Sequence, residues 1–424
     1  MMNNDLNNRN ILISGASIAG PALAYWLNQY GFNVTVVEKA PELRKGGYRI
    51  DLRGVATDVA QRMGILNQVR ELNTAMRGSS MINAEGKRYA DLNDPNIFGM
   101  RQDGDVEIMR GELSGILYAE TKDQTEYIFN NSITALTQTD ESVTVVFKNG
   151  EQRDFDLVVA ADGLRSNVRR LAFDQEKISV DHLGYFVSVF TIPNYFNLDH
   201  WELNYPAVDK IVNIYSTGKN QEAKVLLMFA APTIKYDHRD IAQQKQIVID
   251  HFKDEGPVVS KILDTIHDTP DFYFDAISQV KTESLSNGRV VLLGDAGYCP
   301  SPASGQGSSL AMVGAYVLAG ELAASFGNHQ IAFANYESQM RWFVKANQRL
   351  GLTVLKDMVP KSKKQLWLQT TMLRLMLKLP GKEKILKNFL KEMQRSVDEA
   401  ANAIELKGYD HYKLQTINSD QIDP

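Results

Sequence analysis

Cysteine is almost absent from this chain: Cys299 is the only one in 424 residues. A lone thiol excludes an intramolecular disulfide and a thiolate metal cluster, and it suits a reducing compartment, so a cytoplasmic location is expected. Histidine is sparse as well, with 7 residues and no ligand spacing, which leaves a metal centre without support. Charge of one sign is not in excess, since 46 Lys and Arg face 51 Asp and Glu for a formal net charge of −5. That balance supplies no general attraction to nucleic acid or to an anionic membrane, and neither is an expected partner. The opening MMNNDLNNRN lacks the apolar core of a signal peptide, and the apolar run behind it is too short to cross a bilayer. No internal repeat or low-complexity tract is found. What remains is an ordinary globular composition, 44% hydrophobic and long enough for two cores.

The first chemistry-bearing pattern opens the chain. Asn10 to Ser14 (NILIS) reads as a short buried strand, running into the turn GASIAG, Gly15 to Gly20. Pro21 to Tyr30 has helical spacing with proline tolerated in the first turn, Gly31 closes it, and Asn33 to Glu38 (NVTVVE) reads as a second strand. The fingerprint Gly15-x-Ser17-x-x-Gly20 departs from GxGxxG at its middle position, where serine is small enough to fit and can donate a hydrogen bond. Glu38 lies about twenty residues on, placed to accept hydrogen bonds from ribose hydroxyls. The amides and dipole of the helix start would attract a diphosphate. A tight turn with no ligand is the alternative, and the unit alone does not separate NAD from FAD.

A glycine-rich loop, RKGGYRIDLRG (Arg44 to Gly54), precedes an amphipathic helical pattern, and VEIMRGELSGIL (Val106 to Leu117) reads as another helix start. Alternating segments around Tyr127 to Phe147 look like antiparallel strands, and LVVAA (Leu157 to Ala161) like a buried strand ending at Asp162-Gly163. From Ser179 to Asp275 the pattern is strand-rich and aromatic, which suggests a second sheet; βα character returns at Arg289. Past Asn335 the pattern is helical. There KKQLWLQTTMLRLMLKLPGKEKILKNFLKEM is basic and amphipathic, read as a helix packed across the domain junction, with a membrane-surface helix as the alternative.

Two later motifs carry a family resemblance. LVVAADGLRSNVR (Leu157 to Arg169) resembles the Asp-Gly motif of class A (aromatic-hydroxylase type) FAD-dependent monooxygenases, with Asp162, Gly163, Ser166 and Arg169 at its positions. RVVLLGDAGYCPSPASGQG (Arg289 to Gly307) resembles their second flavin motif. Within that class the chain is most similar to the tetracycline-inactivating monooxygenases, through RKGGYRIDLRG, Arg101-Gln102, FTIPNY, DFYFDAISQV, GDAGYCPSPASGQG and the C-terminal helices. One departure follows Asp295, where Asp-Ala-Gly-Tyr replaces the Asp-Ala-Ala-His of many relatives.

The resemblance implies an α/β fold: a Rossmann-like FAD-binding domain (1–175 and 285–335) interrupted by a β-sheet substrate-binding domain (176–284), with C-terminal helices (336–424) bridging the two. It implies non-covalent FAD, NADPH or NADH as a transient reductant, and O2 activation as a flavin C4a-hydroperoxide that hydroxylates a small aromatic or polycyclic molecule, with a monomer as the default state. Cofactor contacts are expected from Gly15, Ser17, Gly20, Glu38, Lys39, Arg53, Arg110, Asp162, Asp295, Pro302, Gly305, Gln306 and Gly307. Asp295 is placed by the resemblance at the ribityl chain, Pro302 to Gly307 against the ring, and Arg110 near the diphosphate. The helix that starts near Ser308 would aim its positive end at the pyrimidine edge. Since the flavin carries the chemistry, no catalytic side chain is expected. Substrate contacts are expected from Arg101, Gln102, Phe190, Tyr195 and Phe229; Phe272 and Phe274 belong to the same aromatic group, most of which is expected to fill the second core. A tetracycline is the leading substrate, ahead of another aromatic polyketide or phenol. A flavin reductase or dehydrogenase, or a non-catalytic flavin sensor, are the competing functions.

Overall fold

The computed structural model describes residues 6–44, 46–218, 221–269 and 271–414; Lys45 of the glycine-rich loop and residues 415–424 of the helical extension lie outside this set. Its first layer is a six-stranded sheet. In spatial order the strands are Ser286–Asn287, Val290–Leu292, Leu157–Ala160, Asn10–Ser14, Asn33–Val37 and Thr125–Ile128. All neighbours pair in parallel except the short first strand, and the central strands are buried on both faces, as their unbroken apolar runs require. The helix Gly307–Ala324 crosses this layer. It is apolar around its circumference because it is a core helix: 15 of its 18 residues are buried, including Leu310, Met312, Val313 and Leu318. By length and composition it would span a bilayer, yet its apolar surface is already spent on protein.

The second layer is a seven-stranded sheet, in the order Phe272–Thr282, Ile178–Pro193, Glu222–Ala230, Lys210–Ser216, Trp201–Ala207, Gly78–Ile82 and Arg88–Leu92. Its last two strands come from far upstream of the aromatic segment, and Gly78–Ile82 pairs in parallel with Trp201–Ala207. One face packs on the helices Ile241–Phe252 and Pro257–Leu263 through Phe186, Phe190, Phe229, Phe274, Val248 and Phe252. The other face, with Tyr185, Val187, Val189, Met228 and Ile277, turns toward Tyr48, Ala303, Leu355 and Val359.

Two local expectations change. Val106–Met109 is a strand, paired antiparallel with Arg49–Leu52, and the helix begins only at Arg110. The alternation in VEIM, with Val106 and Ile108 buried, is a period of two rather than 3.6. Tyr127 lies in a parallel strand of the first sheet, whereas Ile133–Gln138 and Val143–Phe147 pair antiparallel as expected.

Candidate functional site

The glycine turn after the first strand is dictated by close backbone contact. Gly15 has φ +112°, and a Cβ there would lie 2.5 Å from the Ala161 carbonyl oxygen; a Cβ on Gly20 would lie 1.9 Å from the Gly15 oxygen. The helix Ala19–Gln29 therefore starts directly above the strand end, with its free amides around Ser17. Arg110 reaches this turn, its Nη2 donating to Ser17 Oγ at 2.8 Å, and the Ser114 hydroxyl donates to the Ser17 carbonyl at 3.0 Å. Glu38 stands across from them. Its two carboxylate oxygens accept from the amides of Ala16 and Ala40, each at 2.9 Å, so the acidic residue also fixes the turn. Lys39 beside it is exposed.

The two motifs at the strand ends are tied together. Asp162 accepts from Ser166 Oγ and from the amides of Asn167 and Val168 at 2.8 and 3.2 Å, capping the following helix. Burial pushes its carboxyl up despite these bonds. Arg169, buried, donates to the carbonyls of Ala296 and Leu164 at 2.6 and 2.7 Å, which clamps the Asp-Gly motif to the Gly-Asp-Ala motif.

Beyond Gly294-Asp295-Ala296 the loop turns through Ser301 at φ +80° and Gly305 at φ +64° into the helix Gly307–Ala324. Pro302 and Gly305 open onto a cleft, whereas Gln306 has no accessible surface and neither atom of its amide has a partner among the described residues; Arg53 Nε, also buried, is unpartnered too. Asp295, Tyr48 and Tyr273 have solvent-reachable surface and yet are walled in by protein, the signature of a deep cleft. That enclosure pushes the Asp295 carboxyl up and both phenols further up, so the tyrosines stay protonated and able to donate at neutral pH. Tyr48 and Tyr273 have ring centroids 6.0 Å apart. Neither tyrosine is singled out by its sequence context, although Tyr48 lies within RKGGYRIDLRG and Tyr273 within DFYFDAISQV; only the pairing of loop and sheet brings them together. A flavin dinucleotide fits these residues: the Asp295 carboxylate opens on the cleft between the glycine turn and the second sheet, and the buried Gln306 amide and Arg53 Nε by the same loop lack partners among the described residues.

The expected substrate wall is rearranged. Phe190 and Phe229 are 0% exposed and lie on the helix-covered face of the second sheet, with Phe272 and Phe274 beside them. Strand alternation is the reason: Tyr185, Val187 and Val189 point to the cleft, so Phe186 and Phe190 cannot. Tyr195 is at the sheet's far end, partly exposed under the Lys261 ammonium, 4.5 Å from its ring centre. Arg101 is consumed by a buried network. It pairs with Glu107 and with Asp51 at 3.3 Å and donates to the Pro95 carbonyl at 2.8 Å, while Arg53 pairs with Asp51 at 2.7 Å and Arg49 with Glu202. Gln102 next to it is exposed, its amide bound to Asp105. The expected cofactor residue Arg53 belongs to this network, donating to the carbonyls of Met100 and Gly99 at 2.9 and 2.6 Å. Cys299 is buried, and burial raises its thiol well above the ordinary value, so it is no nucleophile.

A glycine turn on a parallel sheet, the Pro302–Gly305 loop at a helix start and a second sheet across a cleft fit a flavin-dependent enzyme. Residues 8–349 match the FAD binding domain family, and the chain belongs to it. It is an FAD-dependent monooxygenase; NAD(P)H is the reductant typical of the family. It is similar to a flavin-dependent monooxygenase of Legionella longbeachae, 44% identical over 354 residues that cover 84% of this chain and 90% of that protein. Its structure is similar to that of the tetracycline destructase Tet(55), with a TM-score of 0.83 and 40% identity over 96% of this chain and all of the other. The tetracycline destructase Tet(51) matches with a TM-score of 0.82, 37% identity and 95% and 99% coverage.

Proposed function

We propose that this monooxygenase oxygenates and inactivates a tetracycline-type antibiotic. The observation that carries the reading is the likeness to two tetracycline destructases over almost the entire chain, C-terminal helices included. The cleft suits a flat polycycle: the sheet face behind it, with Val187 and Val189, gives an apolar wall, and Tyr48 and Tyr273 offer two protonated phenols that can donate to ketone or enol oxygens.

FAD supplies the oxygen-transfer chemistry once reduced by NAD(P)H. The chain's residues bind and orient. The turn Gly15 to Gly20 and its helix start would take the diphosphate, with Arg110 beside Ser17, and Glu38 would accept from ribose hydroxyls. Asp295 would accept from the ribityl chain, and Pro302 to Gly307, with the unpartnered Gln306 amide, would hold the ring. The apolar wall excludes water.

The test is aerobic NADPH oxidation by the purified yellow protein with and without a tetracycline, with product mass followed in parallel. Drug-dependent oxidation with a gain of one oxygen atom is expected. Unmodified drug and unchanged NADPH oxidation would overturn the tetracycline assignment and direct the search to another aromatic polyketide or phenol.

A further inference from the structure

The C-terminal hairpin Lys363–Met376 and Lys382–Ala401 carries a surface that the flavin site does not use. The first of these helices has two apolar faces. Leu373 and Leu377 pack with Leu390 around Leu92, Ile97 and Leu386, and this contact seats the helix on the second sheet. Leu368, Met372 and Leu375, spaced i, i+4 and i+7, form a separate stripe on the opposite side, and Leu379 follows in the turn beyond the helix. They are large side chains left open to solvent, Leu375 at 59%, with Trp367 at 65% and Phe389 on the second helix at 60%. Such a contiguous apolar ridge marks a binding surface.

The charge around the ridge identifies what it binds. Residues 361–391 hold nine lysines and arginines and one acidic residue, Glu383, in a chain whose net charge is −5. Lys361, Lys363, Lys364, Lys378, Lys382, Lys384 and Lys391 are all exposed. Four of these cations occupy helix starts, Lys363 and Lys364 on one helix and Lys382 and Lys384 on the other, where the helix dipole disfavours positive charge. An external anionic surface would offset that local cost. Apolar side chains flanked by lysines, with tryptophan at the margin, match the interface of a bilayer containing anionic lipid.

We propose that the ridge on Lys363–Met376, extended by Phe389, docks this enzyme on anionic lipid bilayers, with the stripe Leu368, Met372, Leu375 and Leu379 in the headgroup region and the lysines on lipid phosphates.

The test uses full-length, FAD-loaded protein with vesicles of phosphatidylcholine alone and of phosphatidylcholine with phosphatidylglycerol. Co-sedimentation is expected with the anionic vesicles only, lost at ~0.5 M salt as screening shortens the range of the lysine charges. The triple variant Lys378→Gln, Lys382→Gln, Lys384→Gln should weaken partition roughly a hundredfold, from about fivefold per basic residue. Leu368→Ser with Leu375→Ser should abolish it while flavin content and NADPH oxidation stay unchanged. Quenching of Trp367 by brominated lipid, lost in Trp367→Phe, is the positional readout. No partition into anionic vesicles at low salt would overturn the proposal, as would concentration-dependent dimerisation that the Leu368→Ser, Leu375→Ser variant removes, since the ridge would then meet a second copy of the chain.

Discussion

At the scale of single residues, the chemistry of the site rests on few side chains with two tasks each. Glu38 accepts from the Ala16 and Ala40 amides and thereby sets the turn in which the diphosphate is to lie. Glu38→Ala should raise the FAD dissociation constant about ten- to a hundredfold, the worth of one or two charge-assisted hydrogen bonds. Fluorescence titration of apoprotein with FAD reads this directly, and an unchanged constant would remove Glu38 from the cofactor site. Tyr273 gives the corresponding check on the substrate. If a tetracycline occupies the cleft, Tyr273→Phe should raise its KM about tenfold, the loss of one buried hydrogen bond, while flavin occupancy stays full; a loss of flavin with KM unmoved would place the phenol at the cofactor instead. The sequence makes Glu38 legible through its distance from the glycines. It leaves Tyr273 invisible, because in a strand buried on both faces the side facing the cleft is decided by a sheet partner that no local pattern names. Phe190 and Phe229 go to the wrong side of the expectation for the same reason. Arg101 is legible as a charged residue in a polar pair, but its partners Asp51 and Glu107 lie on two strands that meet only in the fold.

At the scale of elements, the first βαβ unit is almost fully written in the sequence. The strands Asn10–Ser14 and Asn33–Val37 fall within one residue of the expected spans, because each is a short apolar run bounded by glycine or polar turns. The unit also depends on one atom's width. At Gly20 an added methyl would meet the Gly15 carbonyl at 1.9 Å, and this contact is backbone, which cannot swing aside. Gly20→Ala should push the helix off the strand, cost about 1–3 kcal/mol as an overpacked substitution, and yield protein with little bound flavin. The absorbance ratio of bound flavin to protein and the thermal midpoint measure both effects; wild-type values for the pair would mean that the turn has slack the contact distances deny. The strands Gly78–Ile82 and Arg88–Leu92 are less legible. They join the second sheet across more than 100 residues of chain, and the pairing of Gly78–Ile82 with Trp201–Ala207 has no local signature.

At the scale of the whole molecule, the two layers are joined by buried charge. Arg49 and Asp51 lie on one side of the junction and Glu202 on the other, with Arg53, Arg101 and Glu107 completing a set of three cations and three anions. Burial alone would raise the carboxyls of Asp51 and Glu202, yet the neighbouring guanidiniums outweigh it and hold both below the ordinary carboxylate range. A carboxyl with a depressed pKa in the folded protein binds protons more readily when unfolded, so its contribution is fully present above the unfolded value, about 4, and is lost as pH falls through the folded value. The junction should therefore be stable through the neutral range and give way below about pH 4. Loss of one partner at neutral pH is harsher than replacement of both by apolar side chains, since it strands a buried cation. Glu202→Ala should destabilise by about 3–5 kcal/mol, whereas Arg49→Met with Glu202→Leu should cost much less. Denaturant unfolding of the three proteins at pH 7, with flavin release followed between pH 3 and pH 7, tests the arrangement. If Glu202→Ala unfolds like the parent, or the parent keeps its flavin and fold unchanged through the acid range, the charges merely tolerate burial and the two layers are held by their apolar contacts alone.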